Sequence, residues 1–189
     1  QLANENQEFA NEMKKIFGEK VLKLSLDGGF TCPNRDGTLG DKGCIFCGEV
    51  GSGEFAGTRG GTINEQVAEQ KKLLRIKIKS DKFIAYFQNF TNTYGDIDYL
   101  KSLYDEALAI YGIVGLAVAT RPDCLSDEVL DLLSELNKKT FLWVELGLQS
   151  IHENSARFIR RGYVLSVYDE AVKKLNARGI RCVSHLIIG

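Results

Sequence analysis

Val114–Ala119 has the sequence VGLAVA and Phe141–Leu148 the sequence FLWVELGL, two runs that are apolar at odd and even positions alike. A half-exposed strand alternates apolar with polar residues, whereas a parallel strand covered by helices is buried on both faces and does not. Working outward, similar runs occur at Val21–Leu26, Phe83–Gln88 and Ile180–Ile188. From the second onward the strands start 31, 27 and 39 residues apart (83, 114, 141, 180), the period of strand-plus-helix units. Each of the first four is followed by a helical pattern. Thr62-Ile-Asn-Glu65 is a capping box that opens a helix to about Ile76. Leu100, Leu103, Tyr104, Ala107, Leu108 and Tyr111 form a stripe of period 3.6. Ser126 caps a helix carrying Val129, Leu132, Leu133 and Leu136, with Asp127 and Glu128 set against its dipole. Ser150-Ile-His-Glu153 is a second capping box, and Ser166 starts a last helix that Gly179 closes. The expected fold is α/β with a parallel sheet, either an open doubly wound sheet or a barrel.

Composition narrows the class. The 189 residues carry 24 Lys+Arg against 25 Asp+Glu, and 44% are apolar, which fits one globular domain and excludes a disordered chain. Two prolines exclude collagen-like sequence, and a net charge of −1 gives no whole-protein attraction for nucleic acid. No apolar run approaches the ~18 residues of a membrane span. The first twenty residues are polar and lack the apolar segment of a signal peptide, although Gln1 in place of Met leaves an earlier leader open. Five cysteines, an odd number, argue against a disulfide framework and for a reducing cytoplasm. The chain stops at Gly189 as the fifth strand ends, so residues 1–189 are expected to be the larger part of a longer domain.

Cysteine and glycine crowd into one window. Cys32, Cys44 and Cys47 fall within sixteen residues, and eleven of the 19 glycines lie between Gly28 and Gly61. Glycine allows the close approaches of a loop wrapped around something. Cys32-x11-Cys44-x2-Cys47 is metal-ligand spacing, and thiolates suit iron–sulfur clusters, zinc or Cu(I). A zinc site closes at four ligands, for which Asp27, Asp36 or the distant His152 and His185 would have to serve. A [4Fe–4S] cluster on three cysteines leaves one iron open for chemistry. The spacing leaves open both an iron–sulfur enzyme and a zinc-stabilised module that binds nucleic acid or protein without catalysis.

A three-cysteine loop after the first strand of a parallel α/β domain, ending Cys44-Ile-Phe46-Cys47, resembles the radical S-adenosylmethionine (SAM) superfamily. That family's hallmark is Cys-x3-Cys-x2-Cys with an aromatic before the third cysteine. The lengthened first gap is similar to that of the branch containing the catalytic subunit of Elongator. Further runs extend the resemblance. Gln88-Asn-Phe-Thr-Asn-Thr93 stands where other members carry Gly-Gly-Gly-Thr-Pro-Thr against the SAM amino group. Ala119-Thr-Arg-Pro-Asp123 resembles the Thr-Arg-Pro-Asp run of the Elongator branch. Glu145-Leu-Gly-Leu-Gln-Ser150 resembles a run near the ribose and methionine, and Arg161 matches an arginine that meets the methionine carboxylate.

The resemblance implies a partial (β/α)6 TIM-like barrel, truncated after its fifth strand, with residues 27–61 as the cluster loop. It implies a [4Fe–4S] cluster on Cys32, Cys44 and Cys47, and SAM bound among Phe46, Asn89, Thr91, Glu145, Gln149, Ser150 and Arg161. Reductive cleavage of SAM to a 5′-deoxyadenosyl radical would follow, fed by an electron donor such as flavodoxin or ferredoxin. The Elongator branch adds a tRNA uridine as the expected substrate.

Single residues are placed by simpler arguments. Glu145, a carboxylate in an apolar strand, needs a polar partner, and Arg121 stands where barrels put their sites, at a strand's C-terminal end; both are candidate catalytic residues. His185 alternates with Ser184 and Leu186, and is either a hydrogen-bonded core residue or a substrate-side group in the barrel lumen. His152 is expected at the surface, and Cys124 and Cys182 as small buried hydrophobes. The run Lys71–Lys82 holds six cations and one anion, either a solvated helix end or a phosphate-contacting edge.

Overall fold

Of the five strands, the three central ones are buried almost throughout, whereas the first carries Lys23 and Ser25 on one face and the last (RCVSHL) is largely exposed. A computed structural model describes residues 2–49, 56–75 and 80–188. In chain order the elements are α1 (Leu2–Phe17), β1 (Val21–Leu26), α2 (Ile63–Arg75), β2 (Lys82–Phe87), α3 (Ile97–Ala109), β3 (Ile113–Thr120), a 3-10 turn (Pro122–Cys124), α4 (Asp127–Lys139), β4 (Phe141–Gln149), α5 (Glu153–Phe158), α6 (Leu165–Ala177) and β5 (Arg181–Leu186). The strands form one sheet in the order β1-β2-β3-β4-β5, and every pair is parallel. A doubly wound sheet reverses its strand order at a switch point; this one does not, which decides for a barrel segment.

Alternation along the strands separates two cores. Leu24, Leu26, Phe83, Ala85, Phe87, Leu116, Val118, Leu142, Val144, Leu146 and Leu148 pack outward against helical residues such as Leu103, Leu133 and Leu175. Val21, Ile84, Tyr86, Ala117 and Trp143 face the other way and meet Met13. α1 therefore closes the N-terminal end of the barrel, with the Phe17 ring edge-on to Phe141 at 5.5 Å. The capping box at Thr62 forms as expected, Thr62 N donating to Glu65 (2.8 Å) and Glu65 N to Thr62 Oγ1 (3.2 Å). Asp96 and Ser126 cap α3 and α4.

Four expectations from the sequence are corrected. The polar first twenty residues, which lack a signal peptide's apolar segment, give no helix signal, but they contain α1. Its apolar residues Met13 and Phe17 are too few to stand out, yet they reach the lumen. Tyr111 leaves the α3 stripe: the helix ends at Ala109 and the tyrosine is 91% exposed. Ser150 does not cap α5; its Oγ accepts from His152 N two residues on, and His152 is the N-cap. Glu153 turns instead to Leu165 N (2.8 Å) and Arg161 (3.5 Å). Cys124 and Cys182 are half-buried rather than buried. Residues 50–55 of the cysteine-loop window and 76–79 of the basic run lie outside the described residues.

Gly115 marks how tightly β3 sits between its neighbours. A Cβ there would lie 2.6 Å from the Phe141 carbonyl oxygen and 2.7 Å from Ile84 Cδ1. Gly115→Ala is expected to cost about 1–3 kcal/mol as overpacking, measured as a lowered urea midpoint with unchanged slope. An unchanged midpoint would contradict this packing.

Candidate functional site

The cysteine loop crosses the C-terminal ends of the strands, where parallel α/β barrels place their chemistry. It is polar and glycine-rich, so hydrogen bonds rather than apolar burial shape it. Asp27, at the end of β1, is buried and accepts from Gly29 N (2.8 Å) and Asn89 Nδ2 (2.9 Å), with Arg59 at 3.7 Å. Gln66 of α2 bonds both the amide and the carbonyl of Asp27 (2.8 and 2.9 Å). The Cys32 carbonyl accepts from Arg35 N and Asp36 N, Gly43 N returns to Asn34 O, and Cys47 N to Cys44 O. The Arg35 guanidinium then crosses inside the loop to the carbonyls of Cys47 (3.1 Å) and Gly48 (2.6 Å). Gly43, at φ +67°, leaves room for it: a Cβ would lie 3.0 Å from Arg35 Nε.

Beneath the loop lies a cavity of about 290 Å³, whose walls include Cys32, Cys44, Cys47, Phe46, Thr91, Arg121, Glu145, Gln149, Arg161 and His185. All three loop cysteines thus share one space. Among the described residues no three His, Cys, Asp or Glu side chains are already gathered about a point. The hydrogen bond from Cys47 pulls the Cys44 thiol down to about 6 against the desolvation of its burial, helped by the Asn34 amide and the charges of Arg121 and Arg35. The same bond, with burial, pushes Cys47 up. The surroundings therefore favour thiolate, the form that ligates metal, at Cys44 and the thiol at Cys47.

The other expected site residues divide. Phe46, Thr91, Gln149, Glu145, Arg121 and Arg161 meet at the cavity. Thr91 Oγ1 is buried without a hydrogen-bond partner, as is Asn89 Oδ1. Asn89 is not on the cavity wall, and its Nδ2 is taken by Asp27. Ser150 is not on the wall either; its carbonyl accepts from Arg161. Arg161, 1% exposed, also bonds the Leu148 and Tyr163 carbonyls through Nη1 and Nε, so its guanidinium first of all ties down the end of β4. Arg121 is held by Asp123 in a two-point pair (2.9 and 2.7 Å) and donates to Arg161 O (3.0 Å). His152 is exposed beside α5. The described part of the basic run lies at the opposite end of the barrel: Lys71 bonds Tyr111 O and Lys82 pairs with Glu19, both near strand N-termini.

Asn34 and Tyr163 were not among the expected site residues. Asn34, 6% exposed, links the cysteine loop to residues 160 and 161 (2.8 and 3.2 Å). The Tyr163 ring lies 4.9 Å from both the Arg121 and Arg161 guanidinium carbons, and its hydroxyl donates to Gly147 O. Phe90, Gln149 and Arg160 take left-handed backbone angles (φ 62°, 57° and 58°), a cost that non-glycine residues bear where surrounding structure over-determines them.

Glu145 faces the lumen, 4% exposed. Its carboxylate is met by Tyr86 OH (2.7 Å), Trp143 Nε1 (2.8 Å) and His185 Nε2 (2.6 Å). The polar partner expected for this carboxylate is thus three partners, and His185 is brought into the lumen by it.

A family model of the Radical SAM superfamily matches residues 32–189, and the chain belongs to that superfamily. It is similar to YtqA of Bacillus subtilis, 49% identical over 177 residues that cover 94% of this chain and 55% of YtqA. It is similar too to YhcC of Escherichia coli K12, 41% identical over 182 residues, 96% of this chain and 58% of YhcC. The chain therefore spans a little over half the length of these bacterial relatives. Among solved structures, the archaeal Methanocaldococcus infernus Elp3 with an N-terminal deletion shares the fold, with a TM-score of 0.61 at 18% identity over 89% of this chain and 38% of that one. Among the described residues no helix is long and apolar enough to cross a membrane.

The lumen gives a pH test. Burial would raise the Glu145 carboxyl, but bonds from His185 and Tyr86, the Lys23 charge and Trp143 outweigh it and hold it at about 2. A carboxyl with a depressed native value stabilises the fold above its ordinary 4.5, and that stability is lost as pH falls from 4.5 to about 2. Glu145→Gln should lower stability at neutral pH and flatten the acid limb across that window in urea titrations. An acid limb identical to wild type would contradict a buried, ionised Glu145.

Proposed function

We propose that Cys32, Cys44 and Cys47 hold a [4Fe–4S] cluster and that the cavity beneath them takes SAM, so that the chain works as a radical SAM enzyme. The observation that supports this most is a shared space: three thiols, the aromatic Phe46 and the unpartnered Thr91 hydroxyl line one cavity at the strand C-termini. When bound, the pair supplies one electron to the sulfonium and a 5′-deoxyadenosyl radical for hydrogen abstraction.

The chain's own residues supply position and dryness. Arg35 and Arg121 offset the negative charge of a thiolate set. Thr91 Oγ1 offers a hydrogen bond to the amino group of methionine, and Phe46 an apolar wall for adenine. Arg161 spends its Nε and Nη1 donors on backbone carbonyls, and Nη2, 3.5 Å from Glu153, is the group that would meet a carboxylate of the ligand. Below this space Tyr86 and Trp143 give an apolar surround, and Glu145 fixes the His185 ring through Nε2 for a substrate entering the lumen. The remaining ring nitrogen, Nδ1, is then the atom available to accept or give a proton there.

Cys32→Ala, Cys44→Ala and Cys47→Ala should each abolish the broad absorbance near ~400 nm and SAM cleavage, because three ligands leave no spare. Cys124→Ala and Cys182→Ala should leave both intact. A requirement for Cys124 in iron binding would overturn the ligand assignment.

For substrate we infer a tRNA uridine, on the resemblance of the cysteine loop and the Thr120-Arg-Pro-Asp123 run to the Elongator branch, with a flavodoxin or ferredoxin as electron donor. Lys71 and Lys82, the described ends of the basic run, lie at the far end of the barrel from the cavity, so the inference rests on the resemblance alone. The whole protein should bind tRNA at low salt, with a log–log salt slope of roughly −0.7 to −0.9 per phosphate contact. Absence of binding would assign the lumen to a small molecule or peptide.

A further inference from the structure

Asn34 stands two residues after Cys32 and touches both halves of the site. Its side chain is 6% exposed. Nδ2 lies 3.3 Å from Cys44 Sγ, 2.8 Å from Arg160 O and 3.2 Å from Arg161 O, so two amide hydrogens serve three acceptors. On its other side, Oδ1 would lie 2.7 Å from a Cβ at position 162, where glycine stands at φ +87°. The left-handed turn at residues 160–162 is thus shaped around this one amide. The backbone adds a parallel tie, Ile45 N to Ile159 O at 3.1 Å.

We propose that Asn34 is a positioning residue that sets the electron density on Cys44 and locks the cysteine loop to the 160–162 turn. The inference rests on the reading of Cys44 as an iron ligand. As a thiol, Cys44 itself donates to Arg160 O (3.4 Å). As a ligating thiolate it has no proton to give, and that carbonyl becomes a repulsive neighbour. Asn34 donates to both and removes the conflict. Hydrogen bonds to a ligating sulfur draw charge from the cluster and raise its reduction potential. The same amide reaches the carbonyl of Arg161, whose guanidinium holds Leu148 O and Ser150 O on either side of Gln149. Loop, turn and the end of β4 are therefore joined through one side chain.

The test compares Asn34→Ala and Asn34→Asp, the second keeping shape and hydrogen-bond acceptors while losing the donor. Iron and sulfide content and the midpoint potential are measured on the anaerobically reconstituted whole protein, together with amide exchange of residues 159–162. Both variants should retain iron and titrate at a more negative potential than wild type, the aspartate lower than the alanine, with faster exchange in the turn. Full iron content with unchanged potential in both variants would overturn the proposal, and so would retained iron in Asp alone with an unchanged potential. Should both variants fail to hold iron, exchange decides: a turn as protected as in wild type overturns the link, and a loosened turn supports it. A wild-type protein lacking iron and sulfide would remove the underlying cluster reading, and the exchange result would still score the link.

Discussion

The carbonyl oxygens of Arg160 and Arg161 are where the site is pinned. Asn34 and Cys44 reach the first, Asn34 and Arg121 the second, and the Arg161 guanidinium turns back from the same turn to the end of β4. A loop with little apolar surface gains almost nothing from the hydrophobic effect, so its shape depends on paired polar groups. Each buried group here is costly to leave unpaired, the Arg161 guanidinium most of all. The arrangement is stable as a whole and vulnerable at any member, which is why one amide can govern both a cysteine and a turn some 126 residues away in sequence.

Below that pin the lumen is layered. Met13 and Phe17 of α1 close the N-terminal end, Tyr86 and Trp143 form an apolar ring, and Glu145 and His185 stand above it. The small residues Ala119 and Gly147 are also on the cavity wall. A carboxylate in such a place survives only because three donors meet it. The lumen thus offers an oriented imidazole within the same cavity as the three thiols, an arrangement suited to a substrate with both a carbon–hydrogen bond to break and a polar group to anchor.

Much of this was legible in the sequence, for physical reasons. Strands apolar on both faces announced a helix-covered parallel sheet, and the cysteine–glycine crowding announced a loop built around something. Sequential strand order, which decides for a barrel, is a tertiary fact and was not legible. α1 was missed because Met13 and Phe17 are sparse on a polar helix. Ser150 misled because a capping box is only a local preference, and Glu153 found better partners in Arg161 and Leu165 N. At the site, residue types were readable and their assignments less so. Arg161 was named by the resemblance as a carboxylate partner and not as a group spent largely on carbonyls, and Asn34 was not named because its carbonyl partners lie some 126 residues on. Left-handed angles at Phe90, Gln149 and Arg160 leave no trace in side-chain identity at all.

The central claim is that three thiols at the strand C-termini hold an iron–sulfur cluster rather than another metal. The direct measurement is metal and acid-labile sulfide content of the whole protein, purified without oxygen and reconstituted. The account expects a brown protein with about four iron and four sulfide per chain. A colourless protein carrying one zinc and no sulfide would contradict it.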